Sequence, residues 1–210
     1  MQEIKDRLAG RGEWSAGQDY RRIDEMSRRS HRGLIAAGVI TVIMAGIAWA
    51  GMERHMRISS TAFSDQSVIP DLYTCEGADI SPPLAWSDLP AGSKSLALIV
   101  DDPDAPDPAA PKMTWVHWVL YNLPATTGDL PQGAKPLPAG TKEGLNDWKR
   151  PGYGGPCPPI GRHRYFHKLY ALDTVLPDLQ QPTKAKLEEA MRGHILAEAR
   201  LMGTYQKKSQ

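Results

Sequence analysis

The stretch that most strongly indicates the fold is Gly152–Asp173, which reads GYGGPCPPIGRHRYFHKLYALD. Its first part concentrates glycine and proline, which predicts a stiff bend whose backbone N–H groups can approach a ligand closely. Its second part, Tyr165–Leu172, is rich in apolar and aromatic residues and predicts a strand. The sequence therefore predicts an ordered loop that leads directly into a strand.

Two further strands are expected upstream. Ser95–Val100 (SLALIV) is an apolar run bounded by turn residues, and Trp115–Leu123 is a second apolar run. All eighteen prolines lie between Pro70 and Pro182, and glycine, proline, asparagine and lysine dominate the region from Pro124 to Pro159. These features predict one mainly β domain with ordered loops.

A helix is expected near the C-terminus, after the strands. Thr183 can cap its start, and Leu187, Met191, Ile195 and Met202 recur at near-helical spacing. The pattern therefore predicts one or two C-terminal helices.

The N-terminal part predicts export with a retained membrane anchor. Residues 33–52 are an uncharged run of twenty residues, and a helix of that length spans about 30 Å, enough to cross a bilayer. Residues 1–32 are a basic leader, which the positive-inside rule places in the cytoplasm. Residues 53–61 are expected to be a linker, and 62–207 an extracytoplasmic domain. Two alternatives stay open: a buried core helix, and a signal peptide cleaved after the Ala48-Trp49-Ala50 pattern.

The charge of the exported part argues against nucleic acid as a partner. From Glu53 onward the chain carries seventeen Lys/Arg against eighteen Asp/Glu. A near-neutral domain has no broad basic face on which a phosphate backbone could bind.

Three segments concentrate polar residues that strands do not otherwise need. The first places Asp102 and Asp104 at the end of the SLALIV strand, where flanking prolines restrict the backbone, and both are candidate ligand-binding residues. The alternative is an ordinary surface turn. The second is His117. Strand alternation places it on one face with Trp115, Val119 and Tyr121, whereas Val116, Trp118 and Leu120 lie on the other face. The alternative is a structural histidine whose ring nitrogens are satisfied by hydrogen bonds within the protein. The third joins the loop Gly154–Pro159 to His163, Arg164 and Tyr165; the alternative is a solvated strand start.

At these residues the sequence resembles the phosphatidylethanolamine-binding protein family, in the bacterial branch often described as Raf-kinase-inhibitor-like. The resemblance runs from about Phe63 to Tyr205. The motifs that carry it are IP at 69–70, YTCEG at 73–77, DISPPL at 79–84, Trp86, DDPDAP at 101–106, HWVLYNLPA at 117–125, Gly152–Asp173 and LMGTY at 201–205. His167 departs from the pattern, because aromatic or aliphatic residues are more usual there.

The resemblance implies a large antiparallel sheet, a smaller one, and a pocket that accepts phosphate, phosphate esters, acetate or similar anions. It implies no robust catalytic activity, and no cofactor is expected. The membrane run is not part of the common domain and indicates a tethered variant, which we expect at a bacterial inner membrane with the N-terminus inside and the domain in the periplasm. The pocket positions of the family fall on Asp102, Pro106, Trp115, His117, Gly155, Pro156, His163 and Tyr165. The two cysteines, Cys75 and Cys157, lie in loops of the matched pattern and are expected to form a disulfide after export; the alternative is two buried thiols.

The function expected from this resemblance is a binding or regulatory module for a small phosphorylated or carboxylate anion. A related possibility is that the domain inhibits a protein target. Protonated histidines would favour anions, so binding is expected to strengthen below about pH 6.5. The competing hypothesis is a metal-dependent or acid–base hydrolase that uses Asp102, His117 and His163. A scaffold with a vestigial pocket is the third possibility.

Overall fold

Strands make up most of the regular structure. The computed structural model describes residues 55–208, and all elements are given within that range. The strands are β1 (Arg57–Ser59), β2 (Leu84–Ser87), β3 (Ser95–Ala105), β4 (Met113–Pro124), β5 (Asp129–Leu130), β6 (Lys142–Glu143), β7 (His163–Leu172) and β8 (Ile195–Tyr205). A short 3-10 helix covers Asp71–Tyr73, and an α-helix, α1, covers Lys184–Met191.

The strands form two antiparallel sheets. The larger sheet has the order β6-β4-β3-β7-β8, and the smaller has the order β1-β2-β5. The three strands that the sequence predicts lie next to one another at the centre of the larger sheet. The structure therefore confirms a mainly β fold with a large antiparallel sheet, a smaller sheet and a helix near the C-terminus.

Apolar clusters cover both faces of the larger sheet. On one face, Leu96 and Leu98 of β3 share a buried cluster with Trp86 of the smaller sheet. On the other face, Ile99 shares a cluster with Leu187 of α1. Each fully buried side chain of this kind contributes roughly 1.5–3 kcal/mol, so the covering elements are held mainly by apolar burial.

The C-terminal helix is shorter than its apolar spacing predicts. Thr183 caps α1, since its side chain accepts a hydrogen bond from the Lys186 N–H group, but the helix ends at Met191. Gly193 then has a left-handed backbone (φ 81°), which turns the chain back into β8. The assignment of Ile195 and Met202 to a helix was wrong, because a spacing of four and seven residues also occurs by chance across such a turn.

A bulge in β4 corrects the predicted faces of that strand. Val100 pairs with Trp118 and Asp101 pairs with Val116, so His117 is an extra residue opposite β3. An extra residue reverses the alternation beyond it. Val119 was predicted to share a face of β4 with His117. It lies instead on the opposite face, in the cluster beneath α1.

Strand β3 is longer than predicted. The expected strand ends at Val100, whereas β3 continues through Asp101–Ala105, so these aspartates lie within the strand. The buried carboxylate of Asp101 accepts from Lys168 Nζ at 2.8 Å and from Lys184 Nζ at 2.6 Å. Cations from distant parts of the chain thus make an acidic strand end tolerable, which local sequence does not reveal.

The predicted anchor lies outside the described residues, as does the basic leader. Within residues 55–208, no helix is both long and apolar enough to cross a bilayer. The predicted linker, 53–61, includes β1, whose Ile58 pairs with Trp86 of β2. Part of that segment therefore belongs to the folded domain.

Candidate functional site

A cavity of about 500 Å³ lies where β3, β4 and β7 meet the loop that precedes β7. Six of the predicted site residues line it: Asp102, Pro106, Trp115, His117, His163 and Tyr165. The remaining lining residues are Ala105, Lys112, Met113, Trp148, Cys157, Pro158 and Pro159. The cavity is therefore largely apolar, with a few polar groups from the three central strands.

Asp102 and His163 form a closed pair in the cavity wall. Asp102 Oδ2 accepts from His163 Nδ1 at 2.7 Å, and Asp102 Oδ1 accepts from the Asp104 N–H group at 2.8 Å. The second ring nitrogen of His163, Nε2, donates to the Ile160 carbonyl at 3.0 Å. Both nitrogens face acceptors, so this ring has no free N–H group to offer a ligand.

His117 has one engaged nitrogen and one without a partner. Nδ1 donates to the Gly154 carbonyl at 2.7 Å, and the Gly154 N–H group donates to the His117 carbonyl at 3.1 Å. Nε2 is buried and has no hydrogen-bond partner. Burial is the main influence on this ring and lowers its pKa, outweighing the Gly154 hydrogen bond and nearby carboxylates that raise it. The pH below which His117 itself carries a charge is therefore lower than the 6.5 expected from the sequence.

Tyr165 supplies the second unpartnered polar atom. Its hydroxyl is buried without a hydrogen-bond partner. The ring lies between the two histidines, edge-on to His117 with centroids 5.2 Å apart and stacked on His163 at 6.4 Å. Burial raises the pKa of the phenol, so the hydroxyl stays protonated and can donate to a ligand.

Asp104 was predicted to bind ligand, but it does not line the cavity. Its Oδ2 accepts from both the backbone N–H group and Nε of Arg164 at 2.9 Å, and its Oδ1 accepts from Arg164 Nη2 at 2.6 Å. These hydrogen bonds hold the pKa of Asp104 below its ordinary value. The carboxylate joins the end of β3 to the start of β7.

Gly155 and Pro156 were also predicted in the pocket, and they lie behind its wall. The Gly155 N–H group donates to Asp79 Oδ1 at 2.6 Å, and the Pro156 carbonyl accepts from the Cys75 N–H group at 3.1 Å. A Cβ atom at Gly155 would overlap the Tyr73 carbonyl. These two residues therefore dock the loop on the 71–79 segment and contribute to the cavity only indirectly.

The predicted disulfide between Cys75 and Cys157 is present. The two Cα atoms are 5.4 Å apart, and 82 residues separate the cysteines. Both residues are exposed, so the alternative of two buried thiols was wrong. Cys157 lines the cavity, and the bond fixes this part of its rim to the 71–79 segment. In the chain-entropy description, closing a loop of this length stabilises the fold by about 4 kcal/mol.

The mouth of the cavity is apolar, a feature that the sequence analysis did not anticipate. Met113 and Trp148 line it, and they are 53% and 41% exposed. Ile160, whose carbonyl binds His163, is 52% exposed. Trp148 packs edge-on against Trp115 at 5.4 Å and against His117 at 5.3 Å. A tryptophan in a polar loop was the available signal, because large aromatic side chains are uncommon in loops without a binding or packing role.

The residues of the hydrolase hypothesis do not form a metal site. No group of three or more His, Cys, Asp or Glu side chains among residues 55–208 is placed to hold a metal ion. Asp102 and His163 bind each other, and only His117 Nε2 of the predicted trio is free. A metal shared by the three would have to break the existing hydrogen bonds of His163.

His167 does not reach the cavity. Its ring is buried, packs at 5.5 Å from Phe63, and has no hydrogen-bond partner on either nitrogen. Burial is the main influence on this ring and, with a further contribution from His117, lowers its pKa to about 4. Its effect is therefore on stability, and the unpartnered atoms on cavity-lining residues are those of His117 and Tyr165.

Comparison with known proteins agrees with this architecture. A protein of Methanothermobacter thermautotrophicus named UPF0098 protein is 48% identical over 155 residues, which span 72% of this chain and 99% of the relative. The crystal structure of CT736 from Chlamydia trachomatis, described as a phosphatidylethanolamine-binding protein homolog, has a TM-score of 0.69 at 47% identity. It covers 73% of this chain and 99% of its own.

A more distant structure and a family model lead to the same assignment. YbcL of Escherichia coli, described as a new member of the mammalian PEBP family, has a TM-score of 0.67 at 32% identity and covers 74% of this chain and 100% of its own. The family model described as phosphatidylethanolamine-binding protein matches residues 59–206, which include the larger sheet, β2 and β5 of the smaller sheet, and the whole cavity. This chain therefore belongs to the phosphatidylethanolamine-binding protein family.

Proposed function

We propose that this protein is a membrane-tethered, extracytoplasmic binding module whose cavity accepts the small anionic group of a phosphorylated or carboxylated ligand. The observation that carries the proposal is the pair of unpartnered polar atoms, His117 Nε2 and the Tyr165 hydroxyl, in a largely apolar cavity. Leaving such a group buried without a partner costs roughly 1–3 kcal/mol, which a ligand that pairs with it would recover. The cavity volume of about 500 Å³ suits a small molecule or a head group.

The arrangement supports binding better than catalysis. Asp102 and His163 are each other's partners, so they stiffen the wall and are not free to exchange protons with a substrate. Among the lining residues in the described part of the chain there is no serine, and Cys157 is oxidised. The cavity therefore offers neither a serine hydroxyl nor a free thiol as a nucleophile.

A protein target is a second candidate, favoured by the apolar mouth. Met113 and Trp148 are large, exposed side chains that line one opening, and the exposed Ile160 is bound through its carbonyl to His163 of the same cavity. Exposed apolar side chains grouped in this way favour contact with a partner surface. In this version of the proposal, the partner inserts an anionic or polar side chain into the cavity and covers the mouth.

The tether rests on the sequence of residues 33–52 and on the disulfide. An uncharged run of twenty residues after a basic leader favours a membrane span with the leader inside. A disulfide between exposed cysteines favours an oxidising compartment for the domain. Membrane fractionation of the full-length chain, followed by protease treatment of spheroplasts, tests both points. We expect the chain in the membrane fraction with its domain digested from outside; a soluble chain, or a protected domain, would reject the tethered arrangement.

Titration calorimetry on the purified full-length chain tests the binding function. Phosphoethanolamine, inorganic phosphate and acetate serve as probes, and saturable binding of at least one is expected. His117→Leu should abolish the binding, whereas His194→Gln, which changes an exposed histidine, should leave it unchanged. The proposal fails if none of the three probes binds to the folded wild-type protein.

A further inference from the structure

Lys112 adds a cation to the lining of the cavity, and two further polar atoms of different character are buried there without partners. The Tyr165 hydroxyl is a donor, because burial keeps the phenol protonated. His117 Nε2 is the other atom, and its character depends on which ring nitrogen carries the proton. Asp102 and His163 add no free hydrogen-bonding group, because they are engaged with each other, with the Asp104 N–H group and with the Ile160 carbonyl.

The partner of His117 Nδ1 fixes the state of this ring. A backbone carbonyl can only accept, so the 2.7 Å contact with the Gly154 oxygen requires a proton on Nδ1. In the neutral ring, Nε2 then carries a lone pair and accepts. The charged and titratable groups that face His117 are Asp101 and Asp102 of β3, Asp147 of the loop before Trp148, and His163, Tyr165 and His167 of β7. Burial outweighs the three carboxylates and lowers the pKa of His117, which favours the neutral ring, with Nε2 as an acceptor.

A site with one acceptor and one donor suits a ligand group that brings its own proton. The monoanion of a phosphate monoester has a P–O–H donor and phosphoryl oxygens that accept. The dianion has no donor, so it would set oxygen lone pairs against the lone pair of Nε2, a contact that Lys112 in the lining does not remove. A carboxylate lacks the proton in the same way.

Building on the binding function proposed above, we propose that the cavity selects the monoprotonated form of a phosphate monoester. The P–O–H group donates to His117 Nε2, and a phosphoryl oxygen accepts from the Tyr165 hydroxyl. This assignment reverses the expectation from the sequence, in which the histidines donate to the anion. The proton that makes binding possible belongs to the ligand and not to the protein.

The inference predicts a specific dependence on pH. The second pKa of a phosphate monoester is about 6, so roughly a tenth of it is monoanionic at about pH 7 and roughly nine tenths at about pH 5. Affinity should therefore rise by about tenfold over this range. A charged His117 would also strengthen binding in acid, so the pH profile of a phosphate ester cannot separate the two explanations alone.

A sulfate monoester separates them, because it is an anion of similar shape that carries no proton in this pH range. Titration calorimetry on the full-length chain, at about pH 5, 6 and 7.5, compares phosphoethanolamine with its sulfate analogue, aminoethyl hydrogen sulfate. We expect the phosphate ester to bind more tightly in acid and the sulfate ester not to bind. Binding of both esters, or a flat phosphate profile, would overturn the proton requirement while leaving the binding function in place. Binding of neither would overturn the binding function itself.

Two matched tyrosine variants and a spectroscopic measurement complete the test. Tyr165→Phe removes the donor and should weaken phosphate binding by about tenfold, the value of one net hydrogen bond. Tyr170→Phe makes the same change on the same strand, but on the face beneath α1, and should bind as wild type does. Phosphorus NMR of bound phosphoethanolamine at about pH 7.5 should give the chemical shift of the monoanion, and the shift of the dianion would contradict the inference.

Discussion

Replacing His167 with phenylalanine should make the protein less sensitive to acid. In the folded protein this ring is 1% exposed, its nitrogens have no hydrogen-bond partner, and burial lowers its pKa to about 4. In the unfolded chain its pKa returns to about 6.5. The folded state therefore resists protonation of a group that the unfolded state protonates readily.

The sign and size of the effect follow from that difference. A depressed pKa in the fold means that the contribution of His167 to stability is fully present above about pH 6.5 and is lost as the pH falls toward about 4. The difference of about 2.5 units corresponds to roughly 3 kcal/mol. Phenylalanine fits the same neighbourhood, next to Phe63, and removes two buried nitrogens that lack partners. We expect the variant to be at least as stable as wild type at neutral pH and to lose roughly 3 kcal/mol less between about pH 7 and pH 4.

Urea unfolding of the oxidised protein, followed by tryptophan fluorescence at several pH values, measures this difference directly. His194→Gln is the matched control, because it also removes one histidine but from an exposed position. This control should retain the acid-dependent loss of the wild type. Equal losses of unfolding free energy in wild type and His167→Phe would refute the reasoning, since the buried ring would then not be the source of the acid sensitivity.

Three further predictions concern the wall and rim of the cavity. Asp102→Asn should lower the free energy of unfolding in urea by about 3 kcal/mol, because it leaves the buried His163 ring without its charged partner. An unchanged unfolding midpoint would contradict the stabilising role of the Asp102–His163 pair. Cys75→Ser should lower the unfolding free energy by about 4 kcal/mol in the same assay, and an equal loss on reducing the wild type should accompany it; a variant as stable as the oxidised protein would show that the bond contributes nothing. Gly155→Ala should lower the melting temperature and reduce the free energy of unfolding by roughly 1–3 kcal/mol, because the added methyl group overlaps neighbouring backbone atoms. In the control Gly128→Ala the methyl group enters open space, so stability should change little. Similar effects of the two substitutions would refute the close approach at Gly155.

The fold could be predicted largely because apolar periodicity and turn chemistry act locally. The run Ser95–Val100 is apolar enough to be buried on both faces, and Thr183 begins its helix by a contact only three residues away. The bulge at His117 could not be predicted, since it depends on which residue of β3 pairs with which residue of β4. The continuation of β3 through its aspartates likewise depends on Lys168 and Lys184, which are far away in the sequence.

The sequence predicted the position of those site residues that the family pattern includes. It predicted less well the roles that depend on contacts between distant parts of the chain. Trp115 and His117 line the cavity as expected, whereas Asp104 binds Arg164 and Gly155 docks the loop from behind. Trp148 was missed, because only the folded loop brings it against these side chains. The direction of hydrogen bonding at His117 was also beyond the sequence, since it is set by one carbonyl oxygen.

The position of the disulfide has a consequence for the export that we propose. Cys75 and Cys157 enclose β2 through β6, so the rim can close only after most of the sheet has been synthesised. In the reducing cytosol the two thiols stay apart, and the segment carrying Cys157 lacks its covalent brace. If the domain is exported as we propose, a chain delayed before translocation would wait without this bond, and arrival in an oxidising compartment would form it. The covalent brace at the rim would then exist only on the far side of the membrane.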